Sequence, residues 1–377
     1  MTATYNVLKE LSARGHEITV LTTVVKGRGT PETITRRVNG MTVHYFKGYF
    51  EGVFFSPALL GFLPTLTKYD LVHANNYRNF PSDAVSIWAR KKGIPTVVSA
   101  NGSLFAYQFL PSFPLGKKLL YGLHDAFLSG PIRKARIAIA VSSAEARHYQ
   151  AFGVPRERIR IVPNGVDLDT FSPGDPQTPL RETGKAKLVG YVGRLDPIKG
   201  LVTLLEAFEI VRGQTPETKL VFVGPDFGMK RILSWMINKR KLRGVLFLDP
   251  VPYRLLVDIY RSLDVVVAPS LFEVFGMSTL EAMACGRPVI STTVGGVSDL
   301  IADGHNGFLV RPGDHEMLAN RIVDVLQNEE TAIRLGTNAR VTAEDYKISR
   351  TADLTEQAYV DCMSIDNGGI SSQHPGC

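Results

Sequence analysis

Cysteine is scarce in this chain: Cys285, Cys362 and Cys377 are the only three among 377 residues. They are too few and too scattered for a disulfide scaffold or a thiolate metal site, and a reducing cytoplasm is the expected compartment. No uncharged apolar run reaches the ~18 residues of a spanning helix, so no membrane crossing is expected. The start lacks the basic, apolar and small-residue order of a signal peptide. There is no Gly-x-Ser-x-Gly elbow, phosphate-binding Gly-Lys-Ser/Thr loop or Gly-x-Gly-x-x-Gly, so the commonest hydrolase and nucleotide fingerprints are missing. His124, His148, His305 and His315 show no ligand or triad spacing, and no metal is expected.

What is present is the composition of an ordinary globular protein. Hydrophobic residues make up 44% and charged residues 21%, which excludes wholesale disorder, collagen and coiled coil. The length predicts two domains against roughly 100 to 200 residues each. A net charge of +7 hides an asymmetry: residues 1–164 carry 21 Lys+Arg against 9 Asp+Glu, and residues 165–377 carry 22 against 27. A basic first half suits an anionic surface such as phospholipid headgroups, nucleic acid or a phosphorylated acceptor; charge alone also serves solubility. Nucleic acid is disfavoured because the basic residues come without a recognition module.

Short apolar runs alternate with helical stretches, as in parallel sheets covered on both faces. In the first half they are 17–22, 41–46, 71–74, 96–100, 137–141 and 159–162, and in the second 188–192, 220–223, 245–248, 265–268, 289–291 and 308–310. Both halves read as Rossmann-like doubly wound α/β domains. The Pro- and Gly-dense stretch from Pro163 to Pro179 marks the boundary, giving a first domain over 1–164 and a second over 165–349. Ligands of such sheets bind outside the carboxyl ends of the strands, so a cleft between the two domains is the expected site. Residues 3–14 read as a helix closed by Gly15. A doubly wound domain normally opens with a strand and a glycine-rich loop, and here the chain reads as starting one strand late. From Ser364 to Cys377 the sequence is polar and Gly-rich, which predicts a frayed tail.

The most informative stretch is Pro269-Ser270-Leu271-Phe272-Glu273-Val274-Phe275-Gly276-Met277-Ser278-Thr279-Leu280-Glu281. A strand feeds a loop carrying Glu273, and a helix from about Gly276 to Cys285 carries Glu281. Between the carboxylates the amides of Phe275, Gly276 and Met277 lie at a positive helix end. A nucleotide sugar fits this layout, with sugar hydroxyls on Glu273, phosphates on the amides and ribose hydroxyls on Glu281. Two lone glutamates would read as a solvated loop residue and a helix residue paired with a cation, but their strand, loop and helix context favours the ligand reading. The strand 188–192 runs into Gly193-Arg194-Leu195-Asp196-Pro197-Ile198-Lys199-Gly200, whose Arg194 and Lys199 can converge on a diphosphate. Surface cations are common, and this pair gains weight from the glutamate motif.

Gly193-Arg194 with Lys199-Gly200, the Glu273/Glu281 pair, Gly286-Arg287-Pro288-Val289-Ile290, Gly295-Gly296, Asn306-Gly307 and Asn164-Gly165-Val166-Asp167 together resemble glycosyltransferase family 4. The stretch from Leu8 to Thr22 is similar to that family's first helix and second strand. The resemblance covers nearly the whole chain. It implies a two-domain GT-B fold with the domains facing across a cleft, a nucleoside-diphosphate sugar as co-substrate in the C-terminal domain and an acceptor in the N-terminal domain. It further implies sugar transfer with retention at the anomeric carbon, and a helix near 350–363 that crosses back to the first domain. Carried over by position, Arg194 and Lys199 neutralise the leaving diphosphate, Glu273 contacts the donor sugar and Glu281 the ribose. Cations and amides at the leaving phosphate lower the barrier without a metal or other cofactor. Asp167-Leu168-Asp169 spells a D-x-D, but in the linker it reads as a turn or cap.

The chain departs from the family pattern in two places. The first strand and glycine-rich loop are not in the sequence, and Asn101 stands where a cleft histidine is frequent. Asn101 can hydrogen-bond a sugar hydroxyl but cannot take a proton. His73, at the end of the strand Leu71 to Ala74, joins Asn75, Asn76 and Asn101 as a candidate acceptor contact, or is a buried histidine satisfied by the core. The acceptor class stays open among a glycan, a lipid-linked molecule and a small molecule. The apolar run Val53 to Leu63, with Lys117-Lys118 and the cations from Arg133 to Arg136 in the same basic domain, suggests peripheral contact with an anionic membrane at its cytoplasmic face. The bland reading of that run is a core helix. A cell-envelope polysaccharide or glycolipid product follows from the resemblance. Two other readings share the architecture: an impaired carbohydrate- or nucleotide-binding protein, and a GT-B phosphorylase or epimerase.

Overall fold

The computed structural model describes residues 2–24, 32–49, 54–104, 115–177, 180 and 186–365. The chain divides into two compact units, Met1–Pro163 with Ile348–Cys377, and Asn164–Lys347.

The first unit runs α1 (Thr2–Ala13), β1 (Thr19–Val24), β2 (Thr33–Val38), β3 (Met41–Lys47), α2 (Pro57–Phe62), β4 (Val72–Asn75), α3 (Phe80–Lys91), β5 (Thr96–Ser99), α4 (Leu115–Leu128), α5 (Gly130–Arg133), β6 (Ile137–Ala140), α6 (Ser143–Ala151) and β7 (Ile159–Ile161). Its strands form two pieces of sheet, β1-β3-β2 and β4-β5-β6-β7. Among the described residues no strand precedes α1, and neither β1 nor β4 is paired on its outer side. The pieces share one apolar cluster, in which Leu21 of β1 packs against Phe46, Leu59, Val72 and Val85.

β2 was not among the expected strands. It pairs antiparallel with β3 through the turn Asn39-Gly40, whose residues have φ of 49° and 82°. An Asn-Gly pair between two runs is a strong hairpin signal, but Arg36 and Arg37 on this edge strand break the apolar pattern. The apolar run after Val53 is a core element. Phe54 is the first described residue there, and α2 with the turn behind it buries Leu59, Leu63 and Leu66.

The second unit runs β8 (Leu188–Val192), α7 (Leu201–Gln214), β9 (Lys219–Val223), α8 (Lys230–Arg240), β10 (Val245–Leu248), α9 (Leu256–Ser262), β11 (Val265–Ala268), α10 (Met277–Ala284), β12 (Val289–Thr292), α11 (Val297–Leu300), β13 (Phe308–Val310), α12 (His315–Gln327) and α13 (Glu329–Glu344). Its six strands are all parallel in the order β10-β9-β8-β11-β12-β13. They are continuous apolar runs because both faces are covered. α7 shows the local logic: Leu201, Leu204, Leu205 and Phe208 recur at helical spacing and are wholly buried against the sheet.

The last helix, α14 (Ile348–Ser364), belongs to the first unit. Its Ala358 and Cys362 pack on Val97, Ile137 and Ile139 of β5 and β6. Arg14 bonds Glu356 and Asp353 at 3.0 and 2.7 Å, tying the end of α1 to α14. Ser364 still lies in this helix, and the rest of the expected tail, 366–377, falls outside the described residues. Ala358 is 1% exposed, so Ala358→Leu is expected to overpack this face and cost about 1–3 kcal/mol. A urea midpoint equal to that of the wild type would contradict the packing.

Candidate active site

In the second sheet β8 is followed by β9 and β10 on one side and by β11, β12 and β13 on the other. Chain leaving β8 and chain leaving β11 diverge, and this switch in direction opens a crevice at the carboxyl edge. The candidate residues of the second unit all follow these two strands.

After β8, Asp196 caps a 3-10 turn (Pro197–Lys199) by accepting from the Ile198 amide at 3.0 Å, and the turn delivers Lys199. Gly200 then turns left-handed at φ 64° to begin α7. A Cβ there would lie 1.9 Å from the carbonyl oxygen of Pro269, so only glycine lets the loop after β8 touch the loop after β11. The Leu271 amide donates to the Ile198 carbonyl at 2.7 Å and locks the two loops together. Across that junction Lys199 Nζ donates to Glu273 Oε2 at 2.6 Å, with side chains 17% and 21% exposed. The loop after β12 holds Glu273 from its other side. A Cβ on Gly295 would sit 1.5 Å from the Glu273 carbonyl oxygen, and the Gly296 amide donates to the Val274 carbonyl at 3.1 Å.

Gly276, at φ 98°, turns the chain into α10, whose first turn no side chain caps. The N–H groups of that turn have no intrahelical partner and form a ready anion receptor. In the same turn Thr279 is 1% exposed and its Oγ1 has no hydrogen-bond partner. Phe275 itself is buried, edge-on to Tyr346, so what it offers a ligand is its backbone. Glu281 sits one turn further in. Its partner is not a cation: Tyr260 Oη donates to Oε2 at 2.8 Å. Burial pushes the carboxyl up to about 7, with the Tyr260 bond working in the opposite direction. The two glutamates therefore differ in character, one held by a lysine and one raised by burial.

Arg194 is brought to the same edge but stands apart from the pair. Its guanidinium lies 5.1 Å from the Phe227 ring centre and 3.8 Å from Asp196 Oδ2, and it is half exposed. Tyr191 Oη donates to the Arg194 carbonyl at 2.7 Å and fixes the loop backbone. Phe227 and Tyr191 were not expected here; aromatic residues in a sheet unit carry no mark that separates packing from a site. Asp167 accepts from the amides of Asp169 and Thr170 and from the Thr170 hydroxyl, so this D-x-D caps a turn. Among the described residues no three His, Cys, Asp or Glu side chains converge as a metal site would.

In the first unit, both ring nitrogens of His73 are engaged. Its Nδ1 lies 2.7 Å from Tyr359 Oη of α14 and its Nε2 2.7 Å from Ser99 Oγ, and burial pushes the ring down to about 4. Both partners are what the satisfied-histidine alternative expects, and the residue keeps partial exposure at the carboxyl end of β4. Asn101 is exposed at the end of β5 and donates to Asn75 Oδ1 at 3.0 Å. Asn76, Arg78 and Asn101 all hold left-handed backbone, at φ 67°, 60° and 48°, a clustering of local strain typical of functional edges. Sequence spacing missed a buried network beside them. Arg78 grips Asp125 through Nε at 2.9 Å and Nη2 at 2.6 Å, and Tyr77 Oη donates to the same carboxylate at 3.0 Å. His124 bonds Asp83 at 2.8 Å. Burial disfavours the His124 imidazolium, yet Asp125 and Asp83 outweigh it and push the group up to about 9.

Comparison with known proteins follows the same division. The family described as Glycosyl transferases group 1 matches residues 177–342, and that described as Glycosyltransferase Family 4 matches residues 2–170. A D-inositol 3-phosphate glycosyltransferase of Stackebrandtia nassauensis is 28% identical over 389 residues, covering 94% of this chain and 85% of that protein. One from Geodermatophilus obscurus is 35% identical over 241 residues, 60% of this chain and 53% of that protein. The sucrose-phosphate synthase of Thermosynechococcus elongatus superposes with a TM-score of 0.76 at 24% identity, over 94% of this chain and 91% of that one. Anabaena Alr3699/HepE in complex with UDP and glucose superposes with a TM-score of 0.74 at 20% identity, over 95% of each chain. These last two share the fold.

The raised carboxyl of Glu281 makes a pH prediction. The stability it contributes is fully present below its ordinary value of 4.5 and is lost as pH rises through about 7. Glu281→Gln is therefore expected to unfold at a higher temperature relative to wild type at pH 8 than at pH 5. A difference between the two proteins that does not change with pH would contradict this environment.

Proposed function

The chain belongs to the family 4, group 1 glycosyltransferases, and from that premise we propose that its second unit binds a nucleoside-diphosphate sugar at the edge carrying Lys199, Glu273 and α10. The supporting observation is the Lys199–Glu273 contact beside an uncapped helix start, at the switch point of a parallel sheet.

Each group has a chemical task in this reading. Lys199 and Arg194 neutralise the diphosphate, and the amides of Phe275, Gly276 and Met277 with the Thr279 hydroxyl donate to its oxygens. Glu281 accepts from ribose hydroxyls and Glu273 from hydroxyls of the sugar. In exchange for the Glu273 oxygen, Lys199 gains a phosphate oxygen, which frees the carboxylate for the sugar. As the bond from the anomeric carbon to the phosphate oxygen breaks, negative charge grows where these cations and amides already point, and the barrier falls. The acceptor hydroxyl attacks from the face the phosphate leaves and passes its proton to a phosphate oxygen, which retains configuration. No divalent ion is needed, and Asn101 serves the acceptor by hydrogen bonding alone.

UDP-glucose is the first donor to test, given the ligands named for the HepE structure. An inositol phosphate is the first acceptor, given the names of the relatives in S. nassauensis and G. obscurus. A glycan or lipid-linked acceptor for the cell envelope, reached at the cytoplasmic face of an anionic membrane, suits the basic first unit. No helix among the described residues is long and apolar enough to cross a membrane.

A thermal-shift panel of UDP-, GDP- and ADP-sugars, with transfer to candidate acceptors assayed alongside, tests the reading. At least one donor is expected to raise the midpoint, and Arg194→Glu/Lys199→Glu to abolish the shift. Lys199→Ala alone is expected to weaken nucleotide affinity about 10- to 100-fold, the value of a charge-assisted hydrogen bond. Unchanged binding in the double variant, or no donor binding by the wild type, would overturn it.

A further inference from the structure

The stretch from Asn164 to Pro173, which opens the second unit, is packed into that unit. Phe171 is wholly buried, its ring edge-on to Tyr253 at 5.0 Å and to Tyr260 of α9 at 5.9 Å. Its carbonyl accepts from Arg340 Nη1 of α13 at 3.0 Å, and the same nitrogen donates to the Ala284 carbonyl at the end of α10 at 2.9 Å. Arg261, beside Tyr260, donates from Nε to the Ser172 carbonyl at 2.8 Å and from Nη2 to the Ser172 hydroxyl at 3.0 Å. Segments far apart in sequence thus close on one wholly buried ring, that of Tyr260. Its hydroxyl is left one use: Oη donates to Glu281 Oε2 at 2.8 Å. Among the described residues no cation pairs with that carboxylate.

We propose that Tyr260 is a positioning residue of the donor site: it holds the Glu281 carboxylate in the orientation that receives the ribose hydroxyls, and Phe171 holds Tyr260. This assignment rests on the ribose role of Glu281 proposed above. The terminal torsion of a glutamate is broad and two-fold, so a carboxylate with no anchor would present its oxygens at many angles. A phenol fixed between Phe171 and α10 pins Oε2 and leaves Oε1 as the acceptor for a ligand. The hydroxyl also sets charge. Burial pushes Glu281 up to about 7, and the Tyr260 bond opposes it by favouring the ionised form, which is the better acceptor. Tyr260 stays a donor because its own burial and the nearby Glu281 keep it protonated. The other groups near the carboxylate are Tyr253, which also faces Asp167, and Cys285, which faces Arg261, Arg287 and Arg340; burial keeps the Tyr253 phenol and the Cys285 thiol protonated at neutral pH.

Calorimetric binding of UDP, ADP and GDP to the full chain, each against its 2′,3′-dideoxy counterpart, tests it. For the diphosphate that wild type binds best, the ribose hydroxyls are expected to raise affinity about tenfold or more. This preference is expected to grow as pH rises through about 7, where Glu281 gains its charge. Tyr260→Phe is expected to cut the preference to about threefold or less and to move its rise to higher pH, since burial then acts unopposed. In a Glu281→Gln background the preference no longer depends on pH, and adding Tyr260→Phe is expected to change it no further. Phe171→Leu keeps both the hydroxyl and the carboxylate and loosens only the wall behind them. It too is expected to lower the preference, and it carries the test if Tyr260→Phe shows no thermal unfolding transition. A folded Tyr260→Phe with the wild-type preference at every pH overturns the proposal, as does a loss of the same size in the Glu281→Gln background. If Glu281→Gln alone loses the preference, the ribose reading stands and the positioning role is wrong. A wild type that binds none of the three diphosphates, or binds without regard to the hydroxyls, overturns both.

Discussion

The contact between Lys199 and Glu273 is the constraint on which the candidate site depends. It joins two loops that leave neighbouring strands in opposite directions, and it exists only because the backbones beneath it come within van der Waals distance. Gly200 against Pro269 and Gly295 against Glu273 are the close approaches that allow this, and a Cβ at either would collide with a carbonyl. A half-buried ion pair is expensive to desolvate and stabilises little by itself. In the proposed function its value is orientation: each partner positions the other for a ligand to displace.

Around that pair the second unit distributes polarity unevenly. Lys199 and the start of α10 present positive potential, Glu281 is raised by burial to about 7 behind Tyr260, and Arg194 rests on Phe227 within reach of solvent. In the proposed function an anionic group enters this crevice and two different carboxylates sort the hydroxyls. The rigidity comes from the sheet. Six parallel strands with both faces buried leave the loops at one edge as the part of the unit free to carry chemistry.

Much of this was legible in the residues. The runs 188–192, 245–248, 265–268 and 308–310 are strands with those same ends, because strands buried on both faces are unbroken apolar stretches. Lys199, Glu273 and the start of α10 were placed together from local loop and helix signals with the family resemblance beside them, whereas Arg194, placed with them, lies apart from the pair. What failed to show was long-range. His73 is satisfied by Tyr359, 286 residues away, and Arg78 by Asp125 across a helix and a strand. Spacing within a segment holds no trace of such partners. The same holds for α4, whose sequence does not say which face turns inward; the tertiary bonds of His124 and Asp125 do. β2 was missed although its Asn39-Gly40 turn announces a hairpin, since two arginines on an edge strand outweigh the turn in any reading by hydrophobicity.

The most direct test of the central claim is a crystal structure of the chain with a nucleoside diphosphate bound. Lys199 Nζ is expected within about 3 Å of a phosphate oxygen, the ribose against Glu281, and Glu273 released toward the sugar position. A diphosphate seated elsewhere, with the Lys199–Glu273 bond intact, would contradict it.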